Sequence, residues 1–219
     1  MSTRNIKHQL FEQFARVGKA LGSPIRLDLL ECLGQGQRSV EALAEKCGLP
    51  VANASHHLQQ LRQAGLVKAY KEGLYVYYRL AGDEVVSLLN AMRRVAEQNI
   101  AEVDWLINTY LTVKDTLEPV PAEELLDRVR KGMVTVLDVR PPDEYAAGHI
   151  AGAVNVPLAE LEKYLDKLKP KKEVVAYCRG PHCVLSYDAV GKLRGRGIKA
   201  RRLKEGFPEW KAAGLPVEA

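Results

Sequence analysis

Residues 176–190, AYCRGPHCVLSYDAV, place two cysteines, Cys178 and Cys183, at the two ends of a turn that contains Gly-Pro. The apolar run 174–177 before the turn predicts a strand, and the segment after it predicts a helix. A thiol pair between a strand and a helix can act as a pair of metal ligands, as a redox pair or as a sulfur nucleophile. The three chemistries imply different proteins.

Around this turn, helical patterns alternate with short apolar strands. Such alternation predicts a mainly parallel α/β sheet. The predicted elements are strand 134–139, helix 158–168, strand 173–177, helix 186–193 and strand 200–203.

The first half of the chain has a different pattern, with helices and one hairpin. Residues 39–66, SVEALAEKCGLPVANASHHLQQLRQAGL, have the short helix, four-residue break and second helix of a helix-turn-helix. The fold class is therefore a mainly α winged helix-turn-helix followed by an α/β domain. Its predicted elements are helices over 6–21, 24–33, 39–47 and 51–64, a hairpin over 66–80 and one long helix over 83–110.

The segment 113–121 carries two prolines and no helical stripe, which indicates a linker. We therefore predict one domain over 1–112, a linker over 113–118 and a second domain over 119–219. The long helix before the linker has more apolar surface than a small domain can cover. We expect it to pair with a second copy in a homodimer.

Composition limits the class of protein. A chain of 219 residues, 47% hydrophobic and 27% charged, is long and apolar enough for one large or two ordinary domains. The N-terminus shows no apolar secretion segment, and no stretch approaches membrane-spanning length. Four cysteines are too few for a disulfide scaffold. We expect a cytoplasmic protein with no membrane partner, and its net charge of +5 allows nucleic-acid binding without establishing it.

The second helix of the helix-turn-helix has a polar face. Short polar side chains near a helix N-terminus can reach base edges and phosphates in a major groove, although such a face is often only solvated. The candidate DNA contacts are Asn53, Ser55, His56, Gln59 and Gln60 on this helix, and Lys68 and Lys71 on the hairpin wing.

Three ordered motifs, KALGSPIRLDLLECLG, SHHLQQLRQAGLV and VYYRL, resemble the ArsR/SmtB family of winged-helix repressors over about residues 6–110. The resemblance implies a homodimer that binds operator double-stranded DNA and is released by a small inorganic inducer. The family's arsenic and zinc ligand sets are absent. Cys32 resembles one thiol of the persulfide-sensing members, without a partner cysteine on the last helix. Alternatively, Cys32 and Cys47 are buried as small apolar side chains.

The turn between Cys178 and Cys183 favours a nucleophile over zinc. A structural zinc site needs a second ligand pair, which His149 and His182 do not form. Such a turn can aim backbone N–H groups inward, and a following helix adds the positive end of its dipole. Both effects favour a thiolate. We expect no metal and no cofactor.

The segments VLDVRPPDEYAAGHIAGAVNVP, YCRGPHC and LKEGFPEWKAAGLPVE resemble the rhodaneses, a family of sulfurtransferases, over about residues 119–219. The resemblance implies an α/β rhodanese domain in which Cys178 accepts sulfur. It also implies that Asp138, Arg140 and His149 support the site, although they can equally serve only to brace the loop.

The loop departs from the rhodanese pattern at its end, where Cys183 stands in the place of the usual arginine. Phosphatase chemistry is disfavoured because no guanidinium is placed to grip a tetrahedral oxyanion. Arg179 within the loop can hold thiosulfate. Cys183 can attack a persulfide or sulfenate on Cys178 and leave a disulfide, or it can simply pack at the helix start.

Together these features predict a DNA-binding transcriptional regulator, a repressor, whose Cys178 takes up sulfane sulfur from a small anionic donor such as thiosulfate or polysulfide. Two alternatives stay open. One is a sulfurtransferase that the winged helix only targets or dimerises, and the other is a thiol-based sensor of As(III) or oxidants. The sequence does not decide whether sulfur transfer is catalytic.

Overall fold

The chain forms two compact units, Met1–Val85 and Val86–Ala219. Part of the predicted linker and the end of the helix predicted over 158–168 lie outside the described residues. The computed structural model describes residues 3–112, 115, 117–165 and 172–219.

The first unit is a helix-turn-helix with a β-hairpin wing, as the sequence predicted. Its three strands form an antiparallel sheet in the order β1-β3-β2, in which β2 and β3 make the wing. The elements are α1 (Thr3–Leu21), α2 (Pro24–Gly34), β1 (Arg38–Ser39), α3 (Val40–Lys46), α4 (Val51–Gln63), β2 (Val67–Glu72) and β3 (Tyr75–Leu80).

Local sequence signals set the start of α3 and the buried face of α4. The hydroxyl of Ser39 accepts a hydrogen bond from the backbone N–H of Ala42 at 3.2 Å and so caps α3. Ala54, Leu58 and Leu61 are fully buried on one face of α4. Because that face is held in the core, the opposite face of α4 is directed outward.

The second unit is built around a four-stranded parallel sheet in the order β6-β4-β7-β8. A small antiparallel pair, β5 with β9, accompanies it. The elements are α5 (Asp83–Asn99), which begins in the first unit, α6 (Ala101–Leu106), a π-helical turn (Ile107–Thr112), α7 (Ala122–Arg130), β4 (Val134–Asp138), α8 (Pro142–Ala146), β5 (His149–Ile150), β6 (Val154–Asn155), α9 (Leu161–Leu165), β7 (Glu173–Tyr177), α10 (Val184–Gly195), β8 (Ala200–Arg202), α11 (Phe207–Ala212) and β9 (Val217–Glu218).

The prediction of one continuous helix over 83–110 is wrong. Ile100 has an extended backbone, with φ −114° and ψ 106°, and separates α5 from α6. The side-chain amide of Asn99 donates to the carbonyl oxygen of Val95 at 2.8 Å, which is the acceptor that helical backbone pairing would use there. The backbone N–H of Ile100 still donates to the carbonyl of Ala96 at 2.9 Å, so α5 ends where the backbone of Ile100 becomes extended.

The central strand β7 faces two hydrophobic cores. Val174, Ala176 and the following Cys178 belong to the core that includes α9 and α10. Val175 and Tyr177 point to the opposite side and belong to the core of α7 and α11. The alternation of a strand therefore places Cys178 on the side of the sheet that α10 covers.

A buried ion pair fixes the end of β4 against the end of β7. The carboxylate of Asp138 and the guanidinium of Arg140 are both fully buried and lie 2.6 Å apart. The hydroxyl of Tyr177 donates to the same carboxylate at 2.5 Å, and Arg140 also donates to the carbonyl of Gly148 at 2.8 Å. Arg140 further lies over the ring of Phe207, 4.2 Å from its centre. One cation thus joins β4, β7, β5 and α11.

No helix in the part of the chain that the structure describes has both the length and the apolar content needed to cross a bilayer.

Replacing Arg140 by Met removes the countercharge of a fully buried carboxylate. We expect the free energy of unfolding to fall by about 3–5 kcal/mol, because the remaining charge is uncompensated. Denaturant unfolding followed by tryptophan fluorescence measures the loss. The matched control is Arg196→Met, which removes an exposed pair with Glu162 and should cost less than about 1 kcal/mol. Equal losses in the two variants would contradict this role of the buried pair.

Candidate functional site

The site is the loop of residues 178–183, called here the cysteine loop, which connects β7 to α10. Cys178 is 1% exposed at the end of β7. Its carbonyl oxygen accepts a hydrogen bond from the backbone N–H of Phe207 at 3.0 Å. The backbone of Cys178 is therefore anchored both by the sheet and by the start of α11.

Cys178 and Cys183 are joined by a disulfide across the cysteine loop, with their Cα atoms 6.1 Å apart. The backbone N–H of Cys183 donates to the carbonyl of Gly180 at 3.1 Å and closes the turn. Cys183 is the N-terminal cap of α10, a helix of 12 residues. The positive end of that helix dipole lies at the sulfurs and favours thiolate over thiol when the bond is reduced.

Gly206 allows α11 to approach the cysteine loop. A Cβ atom at this position would overlap the backbone of Gly180 and the carbonyl carbon of Arg179. The backbone of Gly206, with φ −104° and ψ −176°, suits any residue, so space alone requires glycine here.

Arg179 pairs with Glu144, a carboxylate that is 1% exposed. Its Nη2 and Nε atoms donate to the two carboxylate oxygens at 2.7 and 2.9 Å. This two-point contact orients the Arg179 guanidinium beside the loop and offsets part of its charge. Glu144 was not among the residues predicted for the site, although its position on the short helix after the Asp138-Arg140 motif was a usable signal.

The three residues predicted to support the site lie outside the cysteine loop. Asp138 and Arg140 form the buried pair described above. His149 stacks on the ring of Tyr145 with centres 3.7 Å apart, and its Nδ1 lies 3.0 Å from the Tyr145 carbonyl oxygen. The Nε2 of His149 lies 3.6 Å from the carboxylate of Glu218 on β9.

The tip of the cysteine loop contacts α5, which lies with it in the second unit from Val86 onward. The Nε2 of His182 is 3.0 Å from the carboxylate of Glu97. Burial lowers the pKa of His182 below its ordinary value, although the Glu97 charge opposes this shift. A second pair, Arg93 with Glu209 at 3.2 Å, joins α5 to α11. The imidazole of His182 therefore contacts α5 through the carboxylate of Glu97.

A linker residue reaches the same loop indirectly. The buried carboxylate of Asp115 pairs with Arg194 at 2.8 Å and with Arg202 at 2.9 Å. Arg202 stacks on Tyr187 and donates to the carbonyl of Pro181 in the loop at 3.4 Å. Asp115 is thus connected to the cysteine loop through Arg202.

The predicted DNA-binding residues lie on α4 and on the wing of the first unit. His56, Gln59, Lys68 and Lys71 are exposed, and Asn53, Ser55 and Gln60 are partly exposed. Gln60 is held within the unit, since its side chain accepts from Arg26 at 2.5 Å and bonds His56 at 2.8 Å.

Cys32 and Cys47 lie next to each other in the first unit, with their sulfurs 3.7 Å apart. Both side chains are partly exposed. Among the described residues, no group of three or more His, Cys, Asp or Glu side chains has a geometry that could hold a metal ion.

Comparison with known families confirms the two resemblances. Residues 21–69 match a helix-turn-helix domain family, and residues 121–213 match the rhodanese-like domain family. The HTH-type transcriptional regulator Rv0324 of Mycobacterium tuberculosis is 44% identical over 212 residues, which cover 97% of this chain and 93% of that protein.

Two further relatives each match less than half of the chain. The thiosulfate sulfurtransferase GlpE of Coxiella burnetii is 34% identical over 90 residues, 41% of this chain and 82% of that enzyme. A solved structure from Mycobacterium bovis, described as the homodimeric winged helix-turn-helix DNA-binding domain Mb0332, is 44% identical. It covers 46% of this chain and 91% of its own, with a TM-score of 0.42.

Replacing Gly206 by Ala forces the new methyl group against the backbone of Gly180. We expect this overpacking to cost about 1–3 kcal/mol and to open the cysteine loop, so that iodoacetamide alkylates reduced Cys178 faster. Denaturant unfolding and mass spectrometry of the alkylated peptide measure the two effects. Gly195→Ala at the end of α10 is the control, since a Cβ atom there meets open space. A matching response from both variants would refute the close-packing role of Gly206.

Proposed function

The chain belongs to the family of HTH-type transcriptional regulators that carry a rhodanese-like domain, and we propose that it is a cytoplasmic repressor controlled by sulfane sulfur. The observation that carries this proposal is the Cys178–Cys183 disulfide at the N-terminus of α10. A thiol pair in this position can accept a sulfur atom on one cysteine, and the other cysteine can then release that sulfur by forming a disulfide.

The proposed first step is sulfur uptake from a small anionic donor. The Cys178 thiolate attacks the outer sulfur of thiosulfate, the S–S bond of the donor breaks, and sulfite leaves with the bonding electrons. A persulfide then remains on Cys178. With a polysulfide donor the leaving group is a shorter polysulfide. The positive end of α10 favours the anionic sulfur in both cases.

The proposed second step uses Cys183. Its thiolate attacks the Cys178 sulfur of the persulfide, the bond to the outer sulfur breaks, and hydrosulfide leaves. The product is the disulfide seen across the cysteine loop. Arg179 lies within the loop and orients the anionic donor, while the buried carboxylate of Glu144 holds its guanidinium in place.

The proposed response starts from the contact of the loop with α5. His182 lies between the two cysteines and donates to Glu97 on α5. Helix α5 begins three residues after β3, the second strand of the wing. Formation of a persulfide or a disulfide changes the length and the charge of the cysteine side chains at the two ends of the loop. It therefore alters the contact between His182 and Glu97. A ligand shifts a conformational equilibrium only through such differential contacts.

For operator binding we propose the residues that the sequence singled out on α4 and the wing. Asn53, Ser55, His56 and Gln59 would face the major groove, and Lys68 and Lys71 would contact phosphates. Gln60 would act mainly by holding His56, given its bonds within the unit.

We propose that residues 1–112 also form a homodimer. Apolar side chains stay exposed on α1 and on the helices over 83–112, which supports a partner surface. Their exposed fractions are 63% for Phe14, 55% for Phe11, 62% for Val95, 57% for Trp105 and 58% for Tyr110.

The main alternative is a sulfurtransferase that the winged helix only targets or dimerises. The likeness of residues in the second unit to a thiosulfate sulfurtransferase favours it. A sensor of As(III) or oxidants that uses Cys178 and Cys183 without sulfur transfer is a third candidate.

Treating the reduced protein with thiosulfate or polysulfide should add sulfur to Cys178 and weaken its binding to promoter DNA upstream of its own gene. The expected loss of affinity is at least about fivefold. Mass spectrometry and a gel shift measure the two effects. Cys178→Ser should abolish both, whereas Cys183→Ser should keep the persulfide and lose the disulfide. Sulfur transfer with unchanged DNA affinity would instead favour the enzyme, and a DNA response without sulfur uptake would favour the third candidate.

Replacing Glu97 by Ala removes the acceptor for His182 on α5. We expect sulfur uptake by Cys178 to stay within about twofold of wild type, while the effect of the donor on operator affinity falls at least about fivefold. The same two assays measure the change. Gln98→Ala, an exposed neighbour on α5, is the matched control and should respond like the wild type. A Glu97→Ala variant with the full DNA response would exclude this route.

A further inference from the structure

The first unit holds a second pair of thiols, Cys32 and Cys47, which the proposed function does not use. Their sulfur atoms are 3.7 Å apart. Cys32 lies near the end of α2, and Cys47 is the residue that ends α3. Both side chains are partly exposed and therefore within reach of a small reagent.

The geometry points to a bond between the two sulfurs rather than to a metal. A disulfide has an S–S distance of about 2.05 Å, so the sulfurs must approach by about 1.7 Å. Rotation of the two side chains, which are already in contact, would have to supply this movement. A stable metal site would need further ligands, and the described residues contain no group of three suitable side chains.

The two thiol pairs differ in electrostatic setting. Cys183 caps the N-terminus of α10, where the helix dipole stabilises a thiolate. Cys32 and Cys47 lie at helix C-termini, where the negative end of the dipole disfavours a thiolate. We therefore expect the second pair to react more slowly than the first.

We propose that Cys32 and Cys47 form a redox site that a low-molecular-weight disulfide converts to a protein disulfide, and that this bond changes DNA affinity. One thiolate attacks the small disulfide, forms a mixed disulfide and releases one small thiol. The second cysteine then attacks the protein sulfur of that mixed disulfide and releases the second small thiol. The two cysteines lose two electrons, and their two protons end on the two released thiols.

The position of Cys47 explains why this bond would affect α4. Cys47 begins the four-residue turn between α3 and α4, and a bond to Cys32 would fix that turn to α2. The far half of α4 is already tied to α2, since Arg26 donates to Gln60 at 2.5 Å. The disulfide would thus restrain α4 on α2 near both of its ends. Restraint of the helix that enters the groove changes how well it fits the operator.

The test isolates the second pair from the cysteine loop. The full-length Cys178→Ser/Cys183→Ser variant is equilibrated in buffers of reduced and oxidised glutathione, and its peptides are mapped without reduction. Operator affinity is measured by fluorescence anisotropy on the same samples. The controls are the same variant with Cys32→Ala or with Cys47→Ser added. Circular dichroism shows which of these controls is folded, and one folded control is enough for the comparison.

The expected result is an intramolecular link between the Cys32 and Cys47 peptides, with the loss of two hydrogen masses. We expect operator affinity to change at least about fivefold, to return on reduction, and to stay constant in the controls. Separate glutathione adducts on the two cysteines, a link between two chains, or a link without a change in affinity would overturn the proposal. Because Cys178 and Cys183 are absent, the outcome is independent of the proposed sulfur chemistry.

Discussion

The buried pair of Asp138 and Arg140 is the constraint on which the second unit depends. Two opposite charges without solvent are stable only when their remaining hydrogen-bonding groups are satisfied, and here Tyr177 and Gly148 supply those bonds. Tyr177 directly precedes Cys178, so the pair also fixes the point at which β7 ends and the cysteine loop begins. The network acts as a brace for the sulfur chemistry proposed above and has no need to contact the sulfurs itself.

Helix ends place three of the four cysteines of this chain in different electrostatic settings. A thiol at the start of a long helix has backbone N–H groups and a partial positive charge beside it, whereas a thiol at a helix end has carbonyl groups and a partial negative charge. Cys183 occupies the first setting, and Cys32 and Cys47 occupy the second. The two proposed thiol sites therefore lie in opposite electrostatic settings.

A small chemical change can affect a distant surface only when rigid elements contact the place where it occurs. The cysteine loop has such contacts on several sides: Phe207 holds its first carbonyl, Glu144 holds Arg179, and Glu97 accepts from His182. A loop held on all these sides has few conformations open to it. Addition or removal of one sulfur atom is then more readily converted into a shift of a neighbouring helix than into local disorder.

The sequence by itself determined the helix-turn-helix and the strand–loop–helix around Cys178, because each depends on periodicity or on neighbours in the chain. Only the tertiary structure brought Glu144 to Arg179, 35 residues away, and Cys32 to Cys47, 15 residues away. Their proximity depends on how helices and strands pack, which local patterns do not specify. The sequence therefore identified the cysteine loop, and the fold decided what holds it and which other thiols lie next to each other.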